Sequence, residues 1–175
     1  MHADGSLDWA ALERLLDLHV ASGTAAIGVT GTTGESATLS VPEHMAIIRH
    51  CVEYVDARIP VIAGTGANAT SEAIELTRAA AEAGADACLL VTPYYNRSTQ
   101  AGMYEHFRAV ADAVAIPQFL YNVPARCGVD LANDTTLALS RHENIIGIKA
   151  ATGNIERARD LLARAPEGFA MYSGD

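Results

Sequence analysis

The sequence predicts an α/β protein in which parallel strands alternate with helices, with a (β/α) barrel favoured over a doubly wound sheet. Three observations lead there. Short apolar runs recur at a spacing of roughly 25–35 residues, with amphipathic helical patterns between them. The runs are apolar throughout, so both of their faces are expected to be buried. Polar and reactive residues fall just past the end of each run: Thr32 and Thr33, Asn68, Tyr94 and Tyr95, Tyr121, Lys149 and Asp175. Barrel enzymes build their sites around such a rim, whereas a doubly wound sheet gathers its chemistry at one switch point.

The elements follow in order. Leu12, Leu15, Leu16 and His19 share a helical face within residues 7–21, with Ser6 as N-cap, Gly23 as stop and His19 read as a core histidine. Residues 25–30 form a short buried strand. Ser40-Val41-Pro42-Glu43 is a capping box that opens a helix to about Val55. A second strand covers 59–63, and Thr70 caps a helix running to Gly84. A third strand covers 87–92 and a helix covers 99–115. The fourth strand is 117–122, followed by a short helix near 134–141. Ile145 to Lys149 is the fifth strand, Asn154 caps a helix to about Ala165, and 170–173 is the sixth strand.

Composition narrows the function. The chain has 175 residues and a net charge of −9, so neither nucleic acid nor an anionic membrane is expected as a partner. Cys51, Cys88 and Cys127 are odd in number, far apart and without a CxxC, which argues for a reducing, cytoplasmic setting rather than a disulfide framework. Residues 1–20 carry no signal-peptide pattern, and the apolar runs are too short to span a bilayer. His44, His50 and Cys51 lack ligand spacing, and no metal or organic cofactor is implied. The Glu72–Glu75 and Arg157–Arg159 clusters read as solvated helix faces.

One residue stands apart. Lys149 is the only lysine; the other eleven strong bases are arginine. It closes an apolar strand, where a charge is costly to bury. Guanidinium stays protonated and is a poor nucleophile, while an amine that loses its proton can attack a carbonyl. Lys149 is therefore a Schiff-base candidate, the alternative being a lysine snorkelling from a strand end to water. A competing signal is Gly64-Thr65-Gly66-Ala67-Asn68-Ala69, which matches the dinucleotide fingerprint. Its required acidic partner is missing: Asp86 begins the next strand instead of ending it. A tight barrel turn built from small residues is the simpler reading.

Four motifs occur in order: Gly31-Thr32-Thr33-Gly34-Glu35-Ser36, Val91-Thr92-Pro93-Tyr94-Tyr95-Asn96, Tyr121-Asn122-Val123-Pro124-Ala125-Arg126 and Gly147-Ile148-Lys149-Ala150-Ala151-Thr152-Gly153. Together they resemble the dihydrodipicolinate synthase family, within the pyruvate-dependent class I aldolase superfamily that includes N-acetylneuraminate lyase. The resemblance covers essentially the whole chain. It implies a (β/α)8 TIM barrel and a lyase of lysine and diaminopimelate biosynthesis that condenses pyruvate with L-aspartate 4-semialdehyde. It implies an imine at Lys149, pyruvate-carboxylate binding by the Thr32 and Thr33 amides, and a proton shuttle of Tyr121, Thr33 and Tyr95. Tyr95 is the member that reaches in from a neighbouring subunit of a homotetramer, a dimer of dimers. Arg126 matches the residue that binds the second substrate's carboxylate.

Ser36, Ala37, His44, Asn68, Glu72 and Tyr94 match the family's feedback site for L-lysine, where Val41 stands in place of a histidine found in some members. The resemblance further implies that residues 1–175 are a partial barrel of about six βα units. The first strand, the last strand and a C-terminal helical domain are absent, leaving two open edges that invite pairing. A related sugar-acid aldolase or lyase, or an inactive barrel fragment, are the alternative readings. The Thr32–Thr33 pair favours the synthase, because the lyases usually carry Ser-Thr there.

Overall fold

The computed structural model describes residues 1–174; the rim residue expected at Asp175 lies outside them. The elements are α1 (Trp9–Ala21), β1 (Ile27–Val29), a 3₁₀ turn (Ser36–Thr38), α2 (Val41–Val55), β2 (Val61–Gly64), α3 (Thr70–Glu82) and β3 (Ala87–Val91). They continue with α4 (Gln100–Ala113), β4 (Gln118–Asn122), α5 (Pro124–Cys127), α6 (Asn133–Leu139), β5 (Ile145–Ala150), α7 (Ile155–Arg164) and β6 (Ala170–Ser173). All neighbouring strands are parallel, and their spatial order is the chain order, β1 to β6. No strand reverses direction of travel across the sheet, so there is no switch point. The sheet is the wall of a barrel.

The two faces of that wall differ. On the helix side, Val29, Val61, Ala63 and Cys88 pack with Leu16, Met45, Ile48, Cys51 and Val55 into one buried cluster. Leu90, Leu120 and Ile148 pack with Met103, Phe107, Val110, Leu139 and Leu161 into a second. Burial at this density is the main stabilisation of the fold, at about 25 cal/mol per Å² of apolar surface. The other side faces the lumen. There Leu89 and Val91 are only partly buried, against a small cluster centred on Tyr121. The expectation that both faces are buried therefore holds for β4, which is buried at every position, while the lumen side of β3 and β5 is in part only half-buried.

Local signals succeed where the side chain itself makes the structure. Ser40 and Glu43 form the reciprocal capping box, and Asn154 Oδ1 accepts from Arg157 N at 3.0 Å. Three expectations are corrected. Asp8, not Ser6, caps α1, accepting from Ala11 N at 2.9 Å, while Ser6 bonds back to Asp4. His19 is exposed, with Nδ1 3.1 Å from Thr24 Oγ1. Periodicity names the face of a helix, not how far along it a neighbour extends. Thr70 is the first residue of α3 rather than its cap; Ala69 stands at the cap without a side-chain bond. The four-residue α5 was not anticipated, because a single turn leaves no periodic trace.

The glycine-rich turn after β2 is a packing device. A Cβ on Gly64 would lie 2.3 Å from Thr30 O, and one on Gly66 would lie 2.3 Å from Val91 N. Asp86 Oδ2 accepts from Val61 N at 2.7 Å, at the opposite end of β2 from that turn. The dinucleotide reading thus loses its acidic partner to a strand-capping role. Among the described residues no helix is long and apolar enough to cross a membrane, and no group of three metal-ligating side chains comes together. All three cysteines are buried and unpaired.

Two outcomes follow for stability. Gly66→Ala forces backbone apart between β2 and β3, and is expected to cost about 1–3 kcal/mol, as overpacking does, in a denaturant titration. His106 on α4 is 5% exposed; Nδ1 meets Thr70 Oγ1 at 2.9 Å, and Nε2 is buried with no hydrogen-bond partner among the described residues. Burial holds its pKa below the ordinary imidazole value. The unfolded chain then binds the proton more readily in the window just below about pH 6.5, so stability falls as pH drops through it. Replacing His106 with Asn is expected to flatten that slope between pH 7 and pH 5.

Candidate active site

The strand register builds the centre. Tyr121 on β4 pairs with Lys149 on β5, which in turn pairs with Tyr172 on β6. Residues level with one another on adjacent parallel strands point the same way, and Lys149 Nζ lies 4.5 Å from the centroid of the Tyr121 ring. Tyr121 is 5% exposed and Lys149 is half-buried. The ring shields the amine from water on one side. On another side the lysine stem passes Gly174, where a Cβ would come within 3.1 Å of Lys149 Cε. The amine is thus held inside the wall, not extended into bulk solvent.

The turn after β1 carries the threonine pair. Thr30 adopts φ 52 and its hydroxyl donates to Val29 O at 2.7 Å and to Gly64 O at 3.1 Å, which locks the turn onto β2. The loop then folds back: Glu35 N donates to Thr32 O at 3.0 Å and Ser36 N to Gly31 O at 3.3 Å. Thr32 is half-buried and Thr33 is exposed.

Tyr95 stands apart from this centre. It is 91% exposed at φ 75, and its amide donates to Cys127 O at 3.2 Å. A left-handed tyrosine costs on the order of 1–3 kcal/mol and persists only where its surroundings impose it. The structure therefore brings Lys149 and Tyr121 together, but among the described residues no hydrogen bond joins the hydroxyls of Tyr121, Thr33 and Tyr95.

Arg126 sits on α5, exposed, and among the described residues it enters no ion pair. It lines a cavity of about 480 Å³ together with Thr32, Val41 and Cys127. The same cavity takes in Ser36, Ala37, His44, Glu72 and Tyr94, five of the six residues grouped above as a feedback site. The sixth, Asn68, is half-buried beside it, donating from Nδ2 to the backbone oxygen of the lining residue Tyr94 at 3.2 Å.

His44 Nε2 meets Gly64 O at 2.7 Å and so must carry the proton there. Burial lowers its pKa, partly offset by that bond and by Glu72. Burial, with Glu72 adding to it, raises the Tyr94 phenol. Burial raises the Cys127 thiol. These residues converge from β1's turn, α2, α3 and the loop after β3, so no single stretch of sequence displays the cavity. Glu72 is half-buried and lines the cavity, while Glu75 on the same helix is exposed.

Sequence reasoning also missed a polar clasp around Asn122, Asp130 and Arg157. Arg157 Nη1 contacts both Asp130 oxygens at 2.8 and 2.6 Å. Its side chain is only 21% exposed, unlike Arg159, a surface partner of Glu156. The one available signal was an Asn closing an otherwise apolar strand.

Comparison with known proteins agrees with this architecture. Residues 1–175 match the model of the Dihydrodipicolinate synthetase family. The chain is 61% identical over 175 residues to a 4-hydroxy-tetrahydrodipicolinate synthase of Cellvibrio japonicus and 62% identical to one of Azoarcus sp., covering 100% of this chain and 60% of each relative. The chloride-inhibited dihydrodipicolinate synthase of Acinetobacter baumannii complexed with pyruvate superposes with a TM-score of 0.98 at 53% identity, over 100% of this chain and 60% of that one. The enzyme of Cyanidioschyzon merolae with lysine bound superposes at 0.95 and 40% identity, over 98% and 58%. The chain thus spans about 60% of the length of the curated relatives it matches. With a family model matched from end to end and six parallel strands in barrel order, the chain belongs to the dihydrodipicolinate synthetase family.

Proposed function

We propose that this chain carries the Schiff-base centre of a 4-hydroxy-tetrahydrodipicolinate synthase, a lyase that condenses pyruvate with L-aspartate 4-semialdehyde. The observation that carries the reading is the sole lysine, half-buried at the end of β5 with Nζ 4.5 Å over the Tyr121 ring. The neutral amine attacks the pyruvate ketone, and loss of water leaves an imine. Protonated, that imine is an electron sink. A proton leaves the pyruvate methyl group, and the resulting enamine carbon attacks the aldehyde carbon, whose oxygen takes up a proton. The α-amino group of the bound aldehyde then displaces Lys149 from the imine carbon, closing a ring and freeing the enzyme. Each step moves a proton, and Tyr121, in register with Lys149 on β4 and with its ring beside Nζ, carries the hydroxyl suited to shuttle it.

Thr32 and Thr33 hold the pyruvate carboxylate through their backbone amides. Arg126, with its planar fork and, among the described residues, no competing ion pair, binds the carboxylate of the aldehyde. Tyr95 completes the Tyr121–Thr33 relay of a neighbouring subunit in a cytoplasmic homotetramer; its exposure and imposed backbone suit a residue that works outside its own chain. The cavity beside Glu72 and His44 suits L-lysine as an effector, with Glu72 facing its ammonium and Tyr94 its carbon chain.

Incubation of the protein with pyruvate and borohydride is expected to fix a reduced adduct on Lys149, located by peptide mass spectrometry and abolished in Lys149→Arg. A folded sample that gives no adduct there would falsify the imine. For the effector, millimolar L-lysine is expected to lower the condensation rate, and Glu72→Gln to raise the concentration needed by about tenfold, since one charge-assisted contact is lost. A rate indifferent to lysine would remove the effector from this cavity.

A further inference from the structure

The short helix α5 carries Arg126 and is fastened on three sides. At its start, Val123 O accepts from Arg126 N at 3.0 Å and Cys127 N at 3.1 Å. Towards β3, Cys127 O accepts from Tyr95 N at 3.2 Å, so α5 and the strained tyrosine share one anchor. At its far end, residues 128–132 are drawn back onto β4. Asn122, 1% exposed and next to Tyr121, accepts from Leu131 N at 3.0 Å and donates to Asp130 Oδ1 at 2.8 Å. Residues 122–131 therefore form a loop clasped at both ends by one asparagine, with Arg126 near its middle.

Asp130 is where the clasp meets the rest of the barrel. Its carboxylate accepts from Arg157 Nη1 on α7 at 2.8 and 2.6 Å, and Arg157 Nη2 donates to Leu131 O. On the outer side, Gln100 of α4 donates to Asp130 O at 2.7 Å and accepts from Ala132 N at 3.0 Å. An isolated surface ion pair contributes little. This one differs, because Arg157 is largely buried and the buried Asn122 amide depends on the same carboxylate. Asp130 joins β4, α4 and α7 to the segment that presents Arg126.

We propose that Asp130 is a positioning residue for the second substrate, holding α5 so that Arg126 meets the aldehyde's carboxylate at a fixed distance from Lys149. The inference rests on the Schiff-base reading given above. Pyruvate capture uses β5 and the turn after β1, with which Asp130 forms no hydrogen bond among the described residues; the second substrate uses α5, which lies on the segment that Asp130 clasps, three residues before it. The two halves of the reaction therefore separate. Misplacing a binding group by about 1 Å is enough to cost up to 10²-fold in rate.

The test compares Asp130→Ala and the shape-preserving Asp130→Asn with the unaltered protein, each in an Arg126 and an Arg126→Lys background. The expected result is a rise of about tenfold in the KM for aspartate semialdehyde in Asp130→Ala, within the range that misplacement allows. Asp130→Asn gives a smaller rise, while the pyruvate KM and the borohydride adduct on Lys149 stay unchanged. In the Arg126→Lys background the Asp130 effect shrinks, because both changes act on one contact. Should the aldehyde KM stay constant in both variants, or should pyruvate KM rise in parallel, Asp130 serves only stability and the inference fails. An absent adduct in every protein, the unaltered one included, overturns the Schiff-base reading itself.

Discussion

The register between β4 and β5 is the constraint on which the rest of the site depends. Four successive pairings, from Phe119 with Gly147 to Asn122 with Ala150, fix where the amine stands relative to the phenol ring. Among the described residues no side-chain hydrogen bond is seen on Lys149; main-chain ladders and aromatic shielding position it. A one-residue slip would turn every side chain of the strand to the opposite face and carry the lysine from the lumen to the helix layer. The irregularity in this ladder lies between Gln118 and Phe119, at the far end from the chemistry. The strands are thus regular where the reacting groups must align.

Around that rigid centre the rim is built from uncomfortable backbone. Among non-glycine residues, Thr30, Glu35, Tyr95 and Arg97 all adopt positive φ, and all lie in the turns after β1 and β3. Asp56 and Ala57 do so at the other end of the barrel, after α2. Strain of this kind survives only where neighbours over-determine it. Here the neighbours are visible: the Thr30 hydroxyl on Gly64 O, and Cys127 O on the Tyr95 amide. Rim geometry is held by a few bonds between loops, resting on a sheet held by many.

One cavity beside this rim is lined by residues of both proposed groups, substrate-binding and effector-binding. Thr32 and Arg126 line the same space as Ser36, His44, Glu72 and Tyr94. The turn after β1 contributes to both groups, since it carries Thr32 as well as Ser36. His44, bonded to Gly64 O, ties α2 to the strand end beneath that turn.

The strand–helix alternation, the capping box at Ser40 and Glu43, the Asn154 cap and the singular Lys149 were all legible in the sequence, because each is a local choice of residue at a local position. His19, Ser6 and Thr70 were misread for the complementary reason. Their surroundings are set by how far a neighbouring helix reaches and by which of several short polar side chains finds the free amides. The meaning of Gly64 and Gly66 likewise came from Thr30 and Val91, residues on other strands. Arg157 reads as one more charge on a polar helix until folding brings Asp130 and Asn122 to it across more than one element. What the chain's own order determined is the periodic frame and the chemistry available at the strand ends. What only the tertiary structure decided is which of those groups meet, since parallel register and loop anchoring are long-range constraints that no window of neighbouring residues contains.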